Sequence, residues 1–375
     1  MKLTKKKILI LTDWYLPAVN AGGPVRSVAA IVSALKQNFE ISVLTSDRDF
    51  GKDHSFEGIE TDVWLTKEEY RLQYVSPDFL KKTITIETEK AYDKIYLNSL
   101  FSKYFTISAL RAIKTRDKHK VVIAPRGMLG EGALGLKAFK KKIFLGLAKA
   151  IGLYDNVIWH ASTDLEKLEI TRVFPNANVV ALENLSYCIP EKYVSSSKVE
   201  GALKMVFVSR ISIKKNLLFI LQLIAEIGKE KISLDIYGPI EDQDYWSKCL
   251  ALITENPAIH YKGVIQPVEL HAVLKEYDLF VLPTLNENFG HIILEALNSS
   301  LPLLLSNNTP WLHLSEGGIG ADISLDEGSV WKKTLLDFLQ MRTTEHEQLR
   351  KSAWAFGQKK LDQQYLVKEY VKLFS

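Results

Sequence analysis

The chain has 375 residues, 47% hydrophobic and 25% charged, a composition that excludes a disordered protein and fits two globular domains better than one core. The formal net charge is +4, with a basic excess between Lys118 and Lys149; no helix-turn-helix, RNA-binding or zinc motif accompanies it, so a nucleic-acid partner is not supported. No run approaches the roughly 20 apolar residues of a membrane span, and Cys188 and Cys249 show no metal spacing, so we expect a cytoplasmic protein.

The first predicted elements are a buried strand from Lys7 to Thr12, a loop, and a helix that begins near Pro24. Gly22 and Gly23 in this loop would let the backbone approach a phosphate closely, although many turns use a glycine pair. The glycines do not form a Gly-x-Gly-x-x-Gly or Walker motif, so neither a nicotinamide dehydrogenase nor a P-loop protein is supported.

Strands alternate with helices along the first half of the chain. Further strands are predicted at 40–45, 58–65, 94–97 and 121–124, with helices around 77–82 and 103–115. This alternation indicates a doubly wound parallel sheet, in which functional loops lie at the carboxyl ends of the strands. Asp13, Gly22 and Arg126 occupy such positions.

A basic amphipathic helix is predicted from Leu136 to Leu153. Its lysines, Lys137, Lys140, Lys141, Lys142 and Lys149, are interleaved with the apolar residues Phe139, Ile143, Phe144, Leu147 and Ile151. One interpretation is a helix packed on its own domain with a solvated basic face. The other is docking on an anionic membrane surface, where each basic residue contributes about 1 kcal/mol. Both interpretations can hold if the apolar side packs partly on the domain and partly on the membrane.

A strand at 157–162 contains His160, which could serve a site, although histidines at strand ends are more often satisfied within the fold. Thr163 and Glu166 fit a capping box for the helix that follows. We expect the first domain to span 1–190 and a polar linker at 191–203 to act as the interdomain hinge.

The second domain opens with a strand at 204–210. Arg210 and Lys215 lie five residues apart across the strand-to-helix loop, so both could converge on one anion, or both could belong to a solvated loop. Two further strands end near Gly238 and Val264.

The segment 277–305 predicts a buried strand, a loop, a helix from Phe289 and another buried strand. Glu287 lies at the mouth of this helix and Glu295 about 80° further round it, so both could face one cleft. Gly290 lies in the first turn, where free N–H groups attract an anion. Alternatively, Glu287 stabilises the helix N-terminus and Glu295 is a solvated surface residue.

Two motifs resemble glycosyltransferase family 4, and the resemblance covers nearly the whole chain. One is Glu-Asn-Phe-Gly followed by Glu295, after a strand ending Leu-Pro-Thr; the other is Ser-Arg-Ile-Ser-Ile-Lys-Lys-Asn at 209–216. The resemblance implies a retaining, bacterial surface-polysaccharide type enzyme with the α/β GT-B fold, two Rossmann-like doubly wound domains facing across a cleft. The first domain would bind the acceptor and residues 204–355 the nucleotide-sugar. The segment 356–375 would cross back to the first domain.

The resemblance also implies the site residues. Donor-binding positions would be Gly22, Gly23, Arg210, Lys215, Gly238, Val264, Asn288, Phe289, Gly290, His291 and Glu295. Glu287, Arg210 and Lys215 would be catalytic: the two cations hold the pyrophosphate and Glu287 contacts the transferred sugar, while Glu295 takes the ribose hydroxyls.

The acceptor side would hold Arg126 and His160. Family members often have a histidine in the loop that we align with Arg126, and an arginine cannot act as a base at neutral pH. We therefore expect Arg126 to contact the acceptor or a phosphate.

The expected reaction moves a hexose from a UDP- or GDP-sugar to a hydroxyl of a saccharide or lipid-linked saccharide, with no cofactor and no metal. The triplets Asp47-Arg48-Asp49 and Asp242-Gln243-Asp244 spell a metal-binding Asp-x-Asp, but such triplets are common by chance. The alternatives are a nucleotide-sugar epimerase, which would need acid/base pairs not seen beyond Glu287, and a catalytically inactive scaffold subunit.

Overall fold

The computed structural model describes residues 5–130, 133–134, 138–186, 191–228 and 231–375. The chain divides into two compact units. Unit 1 comprises Met1–Tyr187 and Gln363–Ser375, and unit 2 comprises Cys188–Asp362. Lys137 and Cys188, both singled out in the sequence, lie outside the described residues.

Within the described residues, unit 1 is built on an eight-stranded sheet. Its strands are β1 (Lys7–Leu11), β2 (Glu40–Ser46), β3 (Leu65–Thr66), β4 (Tyr70–Val75), β5 (Lys94–Leu97), β6 (Val121–Ile123), β7 (Ile158–Ala161) and β8 (Asn178–Ala181). Across the sheet they are ordered β3-β4-β2-β1-β5-β6-β7-β8, and only the β3–β4 pair is antiparallel. The chain runs outward from β1 in both directions, which confirms the predicted doubly wound sheet.

The central strands of unit 1 are buried on both faces. Ile8 and Ile10 pack on one face with the first and last helices, and Leu9 and Leu11 pack on the other face with the remaining helices. Successive side chains of a strand point to opposite faces, so a strand covered by helices on both sides reads as a continuous apolar run.

The helical segments of unit 1 cover these faces. They are Gly23–Leu35, Leu80–Glu89, a π-helical turn Lys103–Ser108 continued by Ala109–Ala112, a 3-10 segment Thr115–Lys120, Ala138–Ala150, Asp164–Val173 and Gln364–Phe374.

The strand predicted at 58–65 is wrong. Only its last residue, Leu65, joins the sheet, and the strand at Tyr70–Val75 was not predicted. Asp62 adopts a left-handed conformation with φ 62°, and its carboxylate accepts hydrogen bonds from the amide and hydroxyl of Ser76. The segment therefore forms a side-chain-capped turn instead of a ladder.

Unit 2 contains a six-stranded, fully parallel sheet within the described residues. Its strands are β9 (Leu203–Val208), β10 (Ile232–Tyr237), β11 (Ile259–Tyr261), β12 (Leu279–Leu282), β13 (Leu303–Ser306) and β14 (Gly320–Ile323), in the order β11-β10-β9-β12-β13-β14. Parallel neighbours present their carboxyl ends at one edge, so the loops after β9, β10 and β12 lie together.

The helical segments of unit 2 pack around one continuous apolar core. They are a 3-10 turn Ile213–Lys215, Leu217–Ile227, Gln243–Glu255, Leu270–Leu274, His291–Asn298, Gly328–Gln340 and Thr343–Leu361.

The C-terminal segment differs from the expected 356–375. The helix Thr343–Leu361 stays in unit 2 to its end, because Gly357 lets it approach the backbone of Leu297 closely; a Cβ at Gly357 would lie 3.0 Å from the Leu297 carbonyl carbon. The return to unit 1 begins at Gln363.

The expected linker 191–203 also lies within unit 2. The amide of Val194 donates to Ser300 Oγ at 3.0 Å, and Ser196 bonds to His346 Nδ1 at 2.6 Å through its hydroxyl. These hydrogen bonds fasten the segment to unit 2, so the described part of it is not a free hinge.

Candidate functional site

An ion pair between Lys215 and Glu287 lies at the carboxyl edge of the unit 2 sheet, where Lys215 Nζ contacts Glu287 Oε2. Lys215 ends the 3-10 turn after β9, and Glu287 lies in the loop after β12. The two strands are hydrogen-bonded neighbours, which is why side chains 72 residues apart meet. Both are largely buried, with 10% and 14% of the side chains exposed.

The loop that carries Glu287 is held by backbone contacts. The Lys214 carbonyl accepts from the Leu285 amide at 2.8 Å and from Thr284 Oγ1 at 3.0 Å. The Glu287 amide donates to the Asn308 carbonyl at 2.9 Å. The loops after β9, β12 and β13 therefore form one assembly that fixes the position of the carboxylate.

The carboxyl group of Glu287 is held ionised. Burial opposes its charge, but the ammonium groups of Lys215 and Lys214 and the hydrogen bonds from Lys215 and the Asn288 amide outweigh burial and lower the pKa of Glu287. An ionised carboxylate at neutral pH accepts hydrogen bonds from hydroxyl groups and has no proton to donate.

Gly290 sets the turn between Glu287 and the next helix. Its φ of 79° is left-handed, and a Cβ there would lie 2.6 Å from Ile293 Cδ1. The Phe289 ring packs edge-on against His291 at 4.7 Å between centroids, and the Phe289 carbonyl accepts from Trp311 Nε1 at 2.5 Å. The position therefore requires glycine, and the helix start is rigid.

The helix begins at His291 and not at Phe289 as predicted, because the left-handed Gly290 ends the loop. Glu287 is consequently a loop residue, and the estimate of 80° between Glu287 and Glu295 round one helix is wrong. Glu295 lies on the second turn of the helix and is half-buried.

Arg210 and Lys215 do not share one carboxylate in this structure. Arg210 forms an ion pair with Glu241 at 3.1 Å between Nη1 and Oε2, while Lys215 pairs with Glu287. The sequence reasoning missed Glu241. It lies just after an isolated parallel bridge between Ile211 and Ile240, a long-range contact that carries no local sequence signal.

Gly238 brings the neighbouring loops together. A Cβ at Gly238 would lie 1.9 Å from the Ser209 carbonyl oxygen, so only glycine fits, and its amide donates to the Gly263 carbonyl at 2.8 Å. Val264 follows this contact and is 44% exposed. Arg210, Gly238, Val264 and Gly290 thus lie on loops at one edge of the unit 2 sheet, and His291 and Glu295 lie on the helix that follows the loop after β12.

In unit 1, Arg126 lies at the carboxyl edge of the sheet in a left-handed conformation with φ 57°. Its Nε donates to Asn98 Oδ1 and its Nη2 to Tyr96 Oη, both at 2.7 Å, and its Nη1 donates to Asn184 Oδ1. Asn98 directly follows β5 and Asn184 lies three residues after β8, and both were missed. A polar residue directly after a buried strand was the available signal for Asn98.

The glycine loop belongs to the same edge. Asn98 Nδ2 donates to the Pro24 carbonyl at 3.2 Å and to Thr12 Oγ1 at 3.3 Å. Gly22, with φ 67° and ψ −124°, precedes the helix, which begins at Gly23. Asn98 therefore connects Arg126 with the predicted phosphate loop.

His160 is a buried structural residue. Its Nδ1 bonds to Tyr96 Oη at 2.8 Å and its Nε2 to the Leu182 carbonyl at 3.0 Å. Burial first, and then the charge of Arg126, lower the pKa of His160 to about 3. The imidazole is neutral at physiological pH and is covered from solvent, so direct contact with an acceptor is not supported.

Asp13, at the end of β1, is a second unusual carboxyl group. Burial raises its pKa to about 6, although Ser102 Oγ donates to Asp13 Oδ1 at 2.8 Å and opposes the shift. The carboxyl lines a cavity of about 260 Å³ with Trp14, Arg48 and Tyr104.

The two Asp-x-Asp triplets have roles within the fold. Asp47 pairs with Arg48, Asp49 accepts from the Val19 amide at 2.9 Å, and Asp242 caps the helix Gln243–Glu255 through the Tyr245 amide at 2.9 Å. Across the described ranges, no group of three or more His, Cys, Asp and Glu side chains is arranged to hold a metal ion.

The helix Ala138–Ala150 exposes apolar residues at every fourth position. Phe139 is 77% exposed, and Ile143, Leu147 and Ile151 continue the same stripe. The helix nevertheless packs on unit 1 through Leu145 and Ala148, so the described part supports both interpretations of the basic segment. None of the helices in the described part of the chain is both long and apolar enough to cross a membrane.

Residues 189–316 match the family model for glycosyl transferases group 1. An uncharacterised 41.2 kDa protein in the cps region of Klebsiella pneumoniae is 22% identical over 298 residues, which cover 76% of this chain and 78% of that protein.

Two solved structures are similar over the full length. Anabaena HepE in complex with UDP and glucose has a TM-score of 0.69 at 14% identity, covering 98% of this chain and 99% of that chain. Sucrose-phosphate synthase from Thermosynechococcus elongatus has a TM-score of 0.72 at 14% identity, covering 99% and 98%. The chain has the GT-B fold, as predicted, and its residues 189–316 are similar to glycosyl transferases group 1.

Proposed function

We propose that the protein is a retaining, family 4 type glycosyltransferase that moves a hexose from a UDP- or GDP-sugar to a hydroxyl of a saccharide or lipid-linked saccharide. The observation that carries the proposal is the Lys215–Glu287 pair, fixed beside the helix start at Gly290. The group 1 match over 189–316 supports the same assignment, and the structural neighbour solved with UDP and glucose favours a nucleotide-sugar donor. The relative in a cps region favours a role in surface-polysaccharide synthesis.

The proposed chemistry follows from the charges in unit 2. Arg210 and Lys215 stabilise the diphosphate leaving group, whose negative charge grows in the transition state, together with amides near Gly290. Side-chain cations then fill the role that a metal has in other transferases. Glu241 and Glu287 form ion pairs with these cations, so an incoming diphosphate replaces or shares existing ion pairs.

Two carboxylates orient the donor in this proposal. Glu287, ionised and fixed, accepts hydrogen bonds from hydroxyls of the transferred sugar, and Glu295 accepts those of the ribose. Neither acts as a nucleophile. The bond between the anomeric carbon and the diphosphate breaks, and the departing phosphate takes the proton of the acceptor hydroxyl. The new glycosidic bond forms on the face of the sugar that the diphosphate leaves, so the configuration at the anomeric carbon is retained.

Peripheral contact with an anionic membrane is part of the proposal. The apolar stripe of Phe139, Ile143, Leu147 and Ile151 is exposed, and Lys140, Lys142 and Lys149 belong to the same helix. Such a helix can lie in the bilayer interface, where a lipid-linked acceptor would be reached.

The first experiment is thermal unfolding with UDP, GDP, ADP and CMP, repeated on Glu295→Ala and Arg210→Ala. At a hundred times its dissociation constant a true ligand adds about 2.7 kcal/mol. One nucleotide that raises the melting temperature of the wild type, with the shift lost in both variants, supports the donor site. No response to any nucleotide would overturn it and favour an inactive scaffold subunit.

A further inference from the structure

Arg126 is a cation surrounded by neutral acceptors. Its three hydrogen bonds go to two amide oxygens and one phenol oxygen, and no Asp or Glu of the described residues forms an ion pair with it. A guanidinium has five N–H donors, so one Nη1–H and one Nη2–H remain available.

This arrangement is unusual for a partly buried charge. Removing a charge from water is unfavourable unless an opposite charge compensates, and buried charges are normally paired. The carboxylate of Glu166, on the following helix, is already engaged by the Gly127 amide at 2.5 Å and by the amide and hydroxyl of Ser162 at 2.7 Å. No described carboxylate therefore pairs with Arg126, and its two remaining N–H groups are free to bind an external anion.

The hydrogen bonds behind Arg126 have a fixed direction. His160 Nε2 faces the Leu182 carbonyl, which can only accept, so Nε2 carries the proton. Nδ1 is then an acceptor and receives the Tyr96 hydroxyl proton. The Tyr96 oxygen is left to accept from Arg126 Nη2. These donor and acceptor assignments require the imidazole of His160 to be neutral.

The chain of hydrogen bonds ends on the last helix. Tyr370 Oη lies 3.2 Å from His160 Nε2 and donates to the Glu183 carbonyl at 3.1 Å. Tyr96, His160 and Tyr370 are all at most 1% exposed, so water does not compete for these bonds. These buried side chains fix the orientation of the Arg126 guanidinium and are themselves covered from solvent.

We propose that Arg126 binds an anionic group of the saccharide substrate, a carboxylate or a phosphoryl group, and that Tyr96 and His160 are its positioning residues. The identification of that substrate as the acceptor rests on the proposed function. The planar fork of an arginine matches both anions in bidentate geometry. The carboxylate would come from a uronic acid, and the phosphoryl group from a lipid-linked pyrophosphate.

Isothermal titration with three nucleotide-free probes tests the proposal: methyl β-D-glucuronide, methyl β-D-glucoside and inorganic pyrophosphate. We expect one anionic probe to bind at least tenfold more tightly than the neutral glucoside. Arg126→Gln should weaken that binding about tenfold or more, and Arg126→Lys by less, since the charge remains while the fork is lost. Binding of the glucuronide identifies the carboxylate source, and binding of pyrophosphate the phosphoryl source.

Lys215→Ala is the control for anion binding in unit 2. If the preferred probe loses affinity in Lys215→Ala and keeps it in Arg126→Gln, the proposal is overturned. It is equally overturned if neither anion binds better than the glucoside. The probes carry no nucleotide, so they do not report on the donor site. If neither anion binds at Arg126 while UDP or GDP still binds, only the anion site is refuted and the proposed transferase stands. If an anionic probe binds at Arg126 but no nucleotide binds, the proposed transferase function is refuted and the anion site at Arg126 stands.

Matched phenylalanine variants test the positioning role. Tyr96→Phe removes the oxygen that accepts from Arg126 and should weaken anion binding severalfold. Tyr370→Phe removes a hydroxyl that forms no hydrogen bond to Arg126 and should change anion binding less than twofold. The ¹⁵N spectrum of His160 should show a protonated Nε2 and an unprotonated Nδ1 from pH 8 to 5. Equal affinities in the two variants, or a proton on Nδ1, would refute positioning.

Discussion

Lys215 and Glu287 meet across two neighbouring parallel strands, and each limits what the other can do. The ammonium lowers the pKa of the Glu287 carboxyl against the effect of burial, and the carboxylate occupies the cation that a diphosphate would need. The pair therefore maintains a charged, preorganised site.

Separating the two partners should separate binding from transfer. Glu287→Gln removes the competitor for Lys215, so nucleotide affinity should be unchanged or higher, whereas transfer should fall about a hundredfold or more with the loss of the sugar contact. Lys215→Ala should weaken nucleotide binding about tenfold or more. Titration with UDP and GDP and a transfer assay measure both effects. Equal losses of affinity in the two variants would contradict the assignment.

Asp13 should make unfolding pH-dependent. Its folded pKa of about 6 lies above the ordinary 3.8, so the folded protein retains the proton and stability falls as the pH rises between these values. Asp13→Asn should therefore raise the free energy of unfolding by about 3 kcal/mol at pH 7.5 and by little at pH 4.

Denaturant titrations at both pH values measure this difference. Asp117→Asn is a control of opposite sign, because the hydrogen bond from Lys120 lowers the pKa of that exposed carboxyl. An Asp13→Asn effect of the same size at pH 4 and pH 7.5 would rule out burial of a carboxylate as its cause.

Gly290→Ala should be more damaging than Gly228→Ala. Both glycines have positive φ, 79° and 86°, which costs an alanine roughly 1–2 kcal/mol. Only at Gly290 does the new Cβ also meet Ile293, and such overpacking adds about 1–3 kcal/mol. Thermal unfolding should rank the variants in that order, and nucleotide binding should fall only in Gly290→Ala. Indistinguishable variants would mean that the turn tolerates a side chain.

The exposed stripe should control membrane association. Phe139→Asp with Leu147→Asp should lower binding to vesicles with 30% anionic lipid at least tenfold and change stability by less than about 0.5 kcal/mol each, because both sites are exposed. Leu168→Asp, equally exposed on the helix Asp164–Val173, is the matched control and should bind normally. Flotation assays measure how much of each protein rises with the vesicles. Wild-type protein that does not rise with the vesicles would refute the membrane contact.

The fold was predictable because the buried parallel strands are short apolar runs, and Leu279–Leu282 is recognisable without any tertiary information. Tyr70–Val75 was missed although its alternation of polar and apolar residues is typical of a strand, and its antiparallel neighbour is a strand of only two residues. The local sequence pattern does not show whether such a segment has a partner strand in the sheet.

The place of the candidate residues in the fold was predictable where they belong to one sequence motif. Lys215, Glu287 and Gly290 were named from two motifs, and their loops do lie together. The pairing of Arg210 with Glu241, and the three acceptors of Arg126, depend on which strands are neighbours in the sheet. Sequence order alone does not contain that information.

The last helix has a consequence for how the chain folds during synthesis. Tyr370 and Phe374 are fully buried in the core of unit 1 against Tyr96 and Phe39, although unit 2 lies between them in sequence. The described strands and helices of unit 2 all precede Gln363, so they are synthesised before the last helix of unit 1. Unit 1 needs the helix Gln364–Phe374 to complete one face of its core, so that sheet face stays uncovered until this helix has been synthesised after unit 2.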